Sequence, residues 1–114
     1  MGSVHQVALL GFKPDASKED LAEFRDGLLA MKERCIWQDT KKQYITSMLC
    51  GIDHSVEKLQ GGATHVVVIE FESQEARDYY MKDDPDHLAL AAVGDKVLAH
   101  LQVLTFVPGV FPDF

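Results

Sequence analysis

Two segments of this chain are apolar on both of the faces that a β-strand presents. In VHQVALLGFK, residues 4–13, His5, Val7 and Leu9 alternate with Gln6, Ala8 and Leu10. In THVVVIEFES, residues 64–73, a run dense in β-branched side chains sets His65, Val67, Ile69 and Phe71 on one face. Successive strand side chains point to opposite faces, so such strands need cover on two sides. The chain has 114 residues, which suits one domain. Folding at that size buries about two-thirds of the unfolded surface, enough for one core without disulfides or metal.

The remaining segments supply the cover. Ser17 and Asp20 make a capping-box start, and Leu21, Phe24, Leu28, Met31 and Cys35 recur at three- and four-residue steps. That stripe predicts an amphipathic helix over residues 17–34. Gly27 lies inside it at a cost of about 1 kcal/mol against alanine, for which a close packing contact would be the reason. QYITSMLCG is a second alternating segment, with Tyr44, Thr46, Met48 and Cys50 on one face, and IDHSVEKLQGGA is a polar excursion. SQEARDYYMK reads as a short helix capped by Ser73, with Glu75 in its first turn. DDPDHLALAAVGDKVLA begins another, with Asp84 as N-cap and Pro85 at the first helical position. HLQVLTFVPG is a last strand, ended by Pro108 and Gly109. The tail 108–114 keeps two aromatics, Phe111 and Phe114, and is expected to dock.

The order β-α-β-β-α(α)-β is the ferredoxin-like split pattern, an α+β sandwich in which a four-stranded antiparallel sheet carries helices on one face. Its other face is apolar too, so a partner is expected, most economically a second copy.

Composition narrows the function. A formal charge of −7 repels a phosphate backbone, which argues against nucleic acid. No apolar run approaches the ~20 residues of a membrane span, and no signal peptide opens the sequence. Cys35 and Cys50 are too few for a disulfide framework and read as thiols of a reducing compartment. The expectation is a cytoplasmic protein away from membranes. Gly61 and Gly62 precede a strand, the wrong order for a nucleotide loop, and no nucleophile elbow is present. The acidic run 83–86 reads as a helix cap rather than a cation cage. Neither metal nor cofactor is expected.

What chemistry remains lies in histidines and tyrosines. His87 is the third residue of its predicted helix, where the N-terminal dipole disfavours the imidazolium by roughly 0.3–1 kcal/mol. Asp83, Asp84 and Asp86 act in the opposite sense, so the sign of its pKa shift stays open. Tyr79 and Tyr80 precede this turn. Neighbours on a helix point about 100° apart, so only one faces a pocket. A phenol beside a neutral imidazole would suit proton abstraction next to a carbonyl. Both tyrosines are also explicable as core aromatics. His5 and His65 hold equivalent places in their strands. The first and third strands are expected to be neighbours running from the same end of the sandwich, which would let the two histidines approach each other; the alternative is that each caps its own strand.

HQVALLGFK, then GIDHS…LQGGATHVVVIEFES, then YY…DPDHLAL together resemble the stress-responsive dimeric A/B barrel domain (Dabb) family. The combination G-x-D-x-S, T-H, F-E-S, a tyrosine and P-x-H carries the likeness, from about Val4 to Val107. The resemblance implies a ferredoxin-like sandwich whose two copies close into an α+β barrel. Family members include heat-stable plant proteins of unsettled function, a polyketide cyclase and a hydroxynitrile lyase. In the cyclase a tyrosine and the histidine of P-x-H are catalytic; here these match Tyr80 and His87, with His5 and His65 matching two further pocket histidines. Asp84 stands where the family often has another histidine, and one extra residue separates Tyr80 from Pro85.

The resulting expectation is an apolar pocket between helix 17–34 and the sheet, lined by Phe24, Leu28, Val7, Leu9 and Val67. His87 would be the base and Tyr80 the donor, with His5, His65 and Tyr79 as further pocket residues. The ligand would be a small hydrophobic, aromatic or polyketide-like compound, and the reaction an aldol-type cyclisation or an addition–elimination. The alternative is a non-catalytic, heat-stable protein that binds a hydrophobic ligand. That reading expects a pocket packed shut and His87 in water. A cofactor-free monooxygenase is a third.

Overall fold

A computed structural model describes residues 2–112. The elements run β1 (Val4–Phe12), α1 (Lys18–Leu29), α2 (Met31–Arg34), β2 (Ile45–Ile52), β3 (His65–Phe71), α3 (Gln74–Lys82), α4 (Pro85–Val97) and β4 (Leu98–Phe106). The sheet order is β2-β3-β1-β4 and every pair is antiparallel. This is the ferredoxin-like α+β sandwich, with the helices against one face of the sheet.

The cap residues act where local chemistry places them. Ser17 accepts from the Asp20 N–H at 3.0 Å and Ser73 from the Ala76 N–H at 3.1 Å. Asp84 caps α4 with Pro85 at its start. The helix expected over 17–34 is broken. Ala30 has φ −90° and ψ −4°, a geometry that turns the chain rather than propagating a helix. The one-turn α2 then sets Met31 and Cys35 into the core beside Tyr44, Ile45 and Phe71. Gly27 meets α4 closely: a Cβ there would lie 3.2 Å from Leu90 Cδ1.

The faces of β1 are the reverse of the expected assignment. Val4, Gln6 and Leu10 are buried, and Gln6, Ala8 and Leu10 face the helices. His5, Val7 and Leu9 lie on the opposite face, where His5 stacks on Phe106 at 5.3 Å. A one-residue shift exchanges the two faces of a strand, and β1 is apolar on both, so alternation alone did not orient it. The approach of His5 to His65 also fails. β1 and β3 are antiparallel, so Leu10 pairs with His65 while His5 pairs with Glu70. The two histidines are near opposite ends of the strand pair.

The sheet face away from the helices carries an apolar row, Leu49–Val68–Val7–Leu104, on four adjacent strands. Leu49 is 66% exposed and Leu104 56%. In the tail, Val110 and Phe111 are exposed; Asp113 and Phe114 lie outside the described residues. Among the described residues, no helix is long and apolar enough to cross a membrane.

Gly11 fixes how closely the β2–β3 connection passes β1. A Cβ at Gly11 would clash with the Gly62 carbonyl oxygen, beside the Thr64 N–H bond to the Leu10 carbonyl at 2.7 Å. Backbone cannot swing aside as a side chain can. Gly11→Ala is therefore expected to lower stability by about 1–3 kcal/mol, measured by urea unfolding; an unchanged midpoint would mean that the connection yields freely.

Candidate active site

α3 delivers two adjacent tyrosines to different places. Tyr80 is 3% exposed and lies between Phe71, at a ring distance of 5.0 Å, and His87, at 4.0 Å. Tyr79 instead packs on Trp37 at 5.4 Å and edge-on to Tyr44 at 5.7 Å. Tyr80 therefore faces the cavity and Tyr79 does not, as the ~100° step between helical neighbours demands. The expected pocket role of Tyr79 is corrected to packing.

α3 stops at Lys82, and the Asp83 and Asp84 N–H groups both donate to the Tyr79 carbonyl, at 2.8 and 2.9 Å. α4 starts at once. Asp84 Oδ1 accepts from the N–H groups of Asp86 at 2.9 Å and His87 at 3.4 Å. This tight reversal brings the His87 imidazole against the Tyr80 ring.

Both rings line a cavity of about 550 Å³ between the helices and the sheet. Gln6, Ala8 and Leu10 of β1 and Val67 and Ile69 of β3 form its floor; Phe24 and Leu28 of α1 and Leu90 of α4 form its walls. The exposed Leu88 and Leu101 lie at its α4 and β4 sides. Phe24, Leu28 and Val67 are thus cavity residues as expected from the sequence, whereas His5, Val7 and Leu9 are on the far face for the register reason given above. Leu9 borders a separate shallow depression with Asp53 and Gln60. His65 faces the helix side but outside the cavity wall. It meets Phe12 edge-on at 5.0 Å, and its Nδ1 lies 2.8 Å from the Thr64 hydroxyl.

The electrostatics follow from burial. Burial pushes the His87 pKa below its ordinary value of 6.5, against weaker upward effects of the Tyr80 backbone and the Asp84 charge. The sign left open by the sequence is resolved: the imidazole is neutral at neutral pH. Its Nδ1 is buried with no partner at hydrogen-bonding geometry. Burial also pushes the Tyr80 hydroxyl upward, with Cys35 and Asp84 adding to it, so it remains a phenol. A neutral imidazole can accept a proton and a buried phenol can donate a hydrogen bond.

Sequence reasoning missed Gln6. It is 5% exposed, lines the cavity, and donates from Nε2 to the Met81 thioether at 3.3 Å, a weak acceptor. The available signal was an amide flanked on its own strand face by Val4, Ala8 and Leu10. Among the described residues, no group of three or more His, Cys, Asp or Glu side chains is arranged to hold a metal ion.

Comparison with known proteins bears on this arrangement. The family described as the Stress responsive A/B Barrel Domain matches residues 4–108. The chain belongs to the Dabb family. Among solved structures, this Dabb chain is 28% identical to a protein from Arabidopsis thaliana, with a TM-score of 0.72 over 96% of this chain and 98% of that one. A hydroxynitrile lyase from Passiflora edulis is 17% identical, with a TM-score of 0.77 over 97% of this chain and 98% of that one. A dimeric ferredoxin-like protein of unknown function from Thermobifida fusca is 17% identical, with a TM-score of 0.69 over 94% and 92%. The last two likenesses are of fold. Among curated proteins, none matches the sequence significantly.

A histidine that protonates less readily folded than unfolded makes the unfolded state the better proton acceptor. Stability is then complete above pH 6.5 and declines as pH falls below it, the ordinary value for the unfolded chain. His87→Gln is expected to flatten that part of the stability–pH profile, followed by urea midpoints. Identical slopes in both proteins would mean that His87 is as hydrated folded as unfolded.

Proposed function

We propose that this Dabb protein is a cofactor-independent enzyme of the cyclase or lyase class, moving a proton beside a carbonyl in a small aromatic or polyketide-like compound. The observation that carries the reading is the contact of His87 with Tyr80 at 4.0 Å on the wall of an open, mostly apolar cavity. His87 takes the proton as general base, and the Tyr80 hydroxyl donates to the oxygen on which charge develops. Gln6, whose amide meets the weakly accepting Met81 thioether, is a further hydrogen-bond partner for a second substrate oxygen. Acid–base groups of this kind supply roughly 10²–10⁴-fold, so the substrate must carry an already acidic C–H or a good leaving group. A poly-β-ketone meets the first condition; an aromatic hydroxynitrile meets the second, His87 taking its hydroxyl proton as the C–O bond becomes a carbonyl and the C–C bond to cyanide breaks, with cyanide leaving. The fold shared with the Passiflora edulis lyase is compatible with this class.

The competing reading, a heat-stable protein that only binds a hydrophobic ligand, expects a filled pocket and a hydrated His87. The cavity volume and the buried Nδ1 weigh against it. The working form is proposed to be a homodimer in which a second copy covers the row Leu49–Val68–Val7–Leu104. The dimeric Thermobifida fusca protein of the same fold supports this. The free thiols, Cys35 and Cys50, suit a reducing, cytoplasmic setting.

Turnover of poly-β-ketones and aromatic hydroxynitriles, read by mass spectrometry, tests the chemistry. His87→Gln is expected to lower kcat by at least about 10²-fold, and Tyr80→Phe to lower kcat more than it raises KM. Binding of these compounds without turnover by the unaltered protein would overturn the enzyme reading in favour of the binder. For the assembly, sedimentation at micromolar concentration should give a dimer, and Leu104→Asp a monomer. A monomeric parent protein would sink the dimer.

A further inference from the structure

Asp84 does more than a helix cap requires. The caps of α1 and α3 are serines whose side chains bond only within their own first turns. The cap of α4 is a carboxylate, 1% exposed, and its second oxygen accepts the Tyr44 hydroxyl from just before β2, forty residues away in sequence. Tyr44 is itself fully buried. It is fixed on three sides by Trp37 at 5.1 Å, Phe71 at 6.4 Å and Tyr79 at 5.7 Å. A buried carboxylate without donors would be strongly destabilising. Here three donors among the described residues reach it, one phenol and two backbone N–H groups, with the Cys35 thiol beside it.

The attachments of Asp84 meet at the proposed reaction centre. Its backbone N–H is bound to the Tyr79 carbonyl at 2.9 Å, at the end of the helix that carries Tyr80. Its Oδ1 holds the His87 N–H, at the start of the helix that carries the imidazole. Its Oδ2 ties both helix ends to the rigid aromatic cluster around Tyr44. The geometry points to Asp84, anchored by Tyr44, as the positioning residue that sets the Tyr80–His87 contact. This rests on the proposed role of His87.

The charge of Asp84 also acts on the imidazole, in the sense that favours its protonated form. The other titratable or charged groups around His87 are few. Tyr80 faces it from α3, Asp86 precedes it on α4, and Asp95 of α4 and His100 of β4 border the same cavity. From α1, β1 and β3 the cavity wall is made of uncharged side chains only.

Two variants separate positioning from capping. Asp84→Ser keeps the capping chemistry that suffices for α1 and α3 but does not reach Tyr44. Tyr44→Phe keeps the ring and the cap and removes only the anchoring hydroxyl. Each is read in the full chain by NMR: the His87 titration midpoint, and the cross-relaxation between the Tyr80 and His87 rings. Fluorescence of the single tryptophan, Trp37, reports whether the cluster has kept its fold. Expected are native Trp37 emission, weakened Tyr80–His87 cross-relaxation in both variants, and a His87 midpoint shifted downward in Asp84→Ser by loss of the carboxylate's charge. Where a substrate turns over, kcat falls by about 10²-fold with little change in KM, as for a displaced catalytic group. Variants that keep both NMR signatures overturn the positioning role. Should Asp84→Ser not fold, Tyr44→Phe decides by the same cross-relaxation. Both NMR readouts need no substrate, so a protein without turnover refutes the enzyme reading while leaving this test intact.

Discussion

Burial of a sheet that is apolar on both faces organises this molecule. β1 lies between β3 and β4, so its side chains on either face have water only where nothing covers them. Three helices cover one face over Gln6, Ala8 and Leu10, and the short Ala8 and Val67 leave volume beneath them. That volume is the cavity. The opposite face keeps Val7, Val68 and Leu104 in a continuous row on which none of the described helices lies. Each such side chain gains roughly 1.5–3 kcal/mol on full burial, which makes association of two such faces favourable. Both the cavity and the dimer proposed above follow from the same two-sided strand.

The cavity wall derives its chemistry from one physical cause. Removal from water penalises whichever form of a group is charged. For His87 this means loss of the proton, and for Tyr80 it means retention of the proton. A single apolar enclosure therefore favours a neutral imidazole and a neutral phenol side by side, the pair to which the proposed base and donor roles are assigned. Asp84 opposes the enclosure by its charge, and its own burial is tolerated because three donors converge on it.

The sequence was legible where structure is decided within one turn of chain. The caps at Ser17, Ser73 and Asp84, the first-position Pro85 and the order of elements follow from short-range chemistry. The family followed from spaced motifs. Phe24 and Leu28 were assigned to the pocket because the helical stripe left one choice. The stretch DDPDHLAL carried its own cap and its histidine, and needed only the preceding tyrosines to become a candidate site.

Other features depended on contacts that sequence periodicity does not encode. Alternation in β1 is symmetric under a one-residue shift, so His5, Val7 and Leu9 were indistinguishable from Gln6, Ala8 and Leu10 until the helices were in place. The break at Ala30, the outward turn of Tyr79 and the separation of His5 from His65 are likewise consequences of packing and strand direction. The Tyr44–Asp84 bond joins residues 40 positions apart, and no local pattern announces it. By itself the sequence determined the elements, their caps, the fold family and the residue types available for chemistry, because these depend on neighbours along the chain. Only the tertiary structure decided which faces meet and how His87 is held, because those depend on which surfaces exclude water from one another.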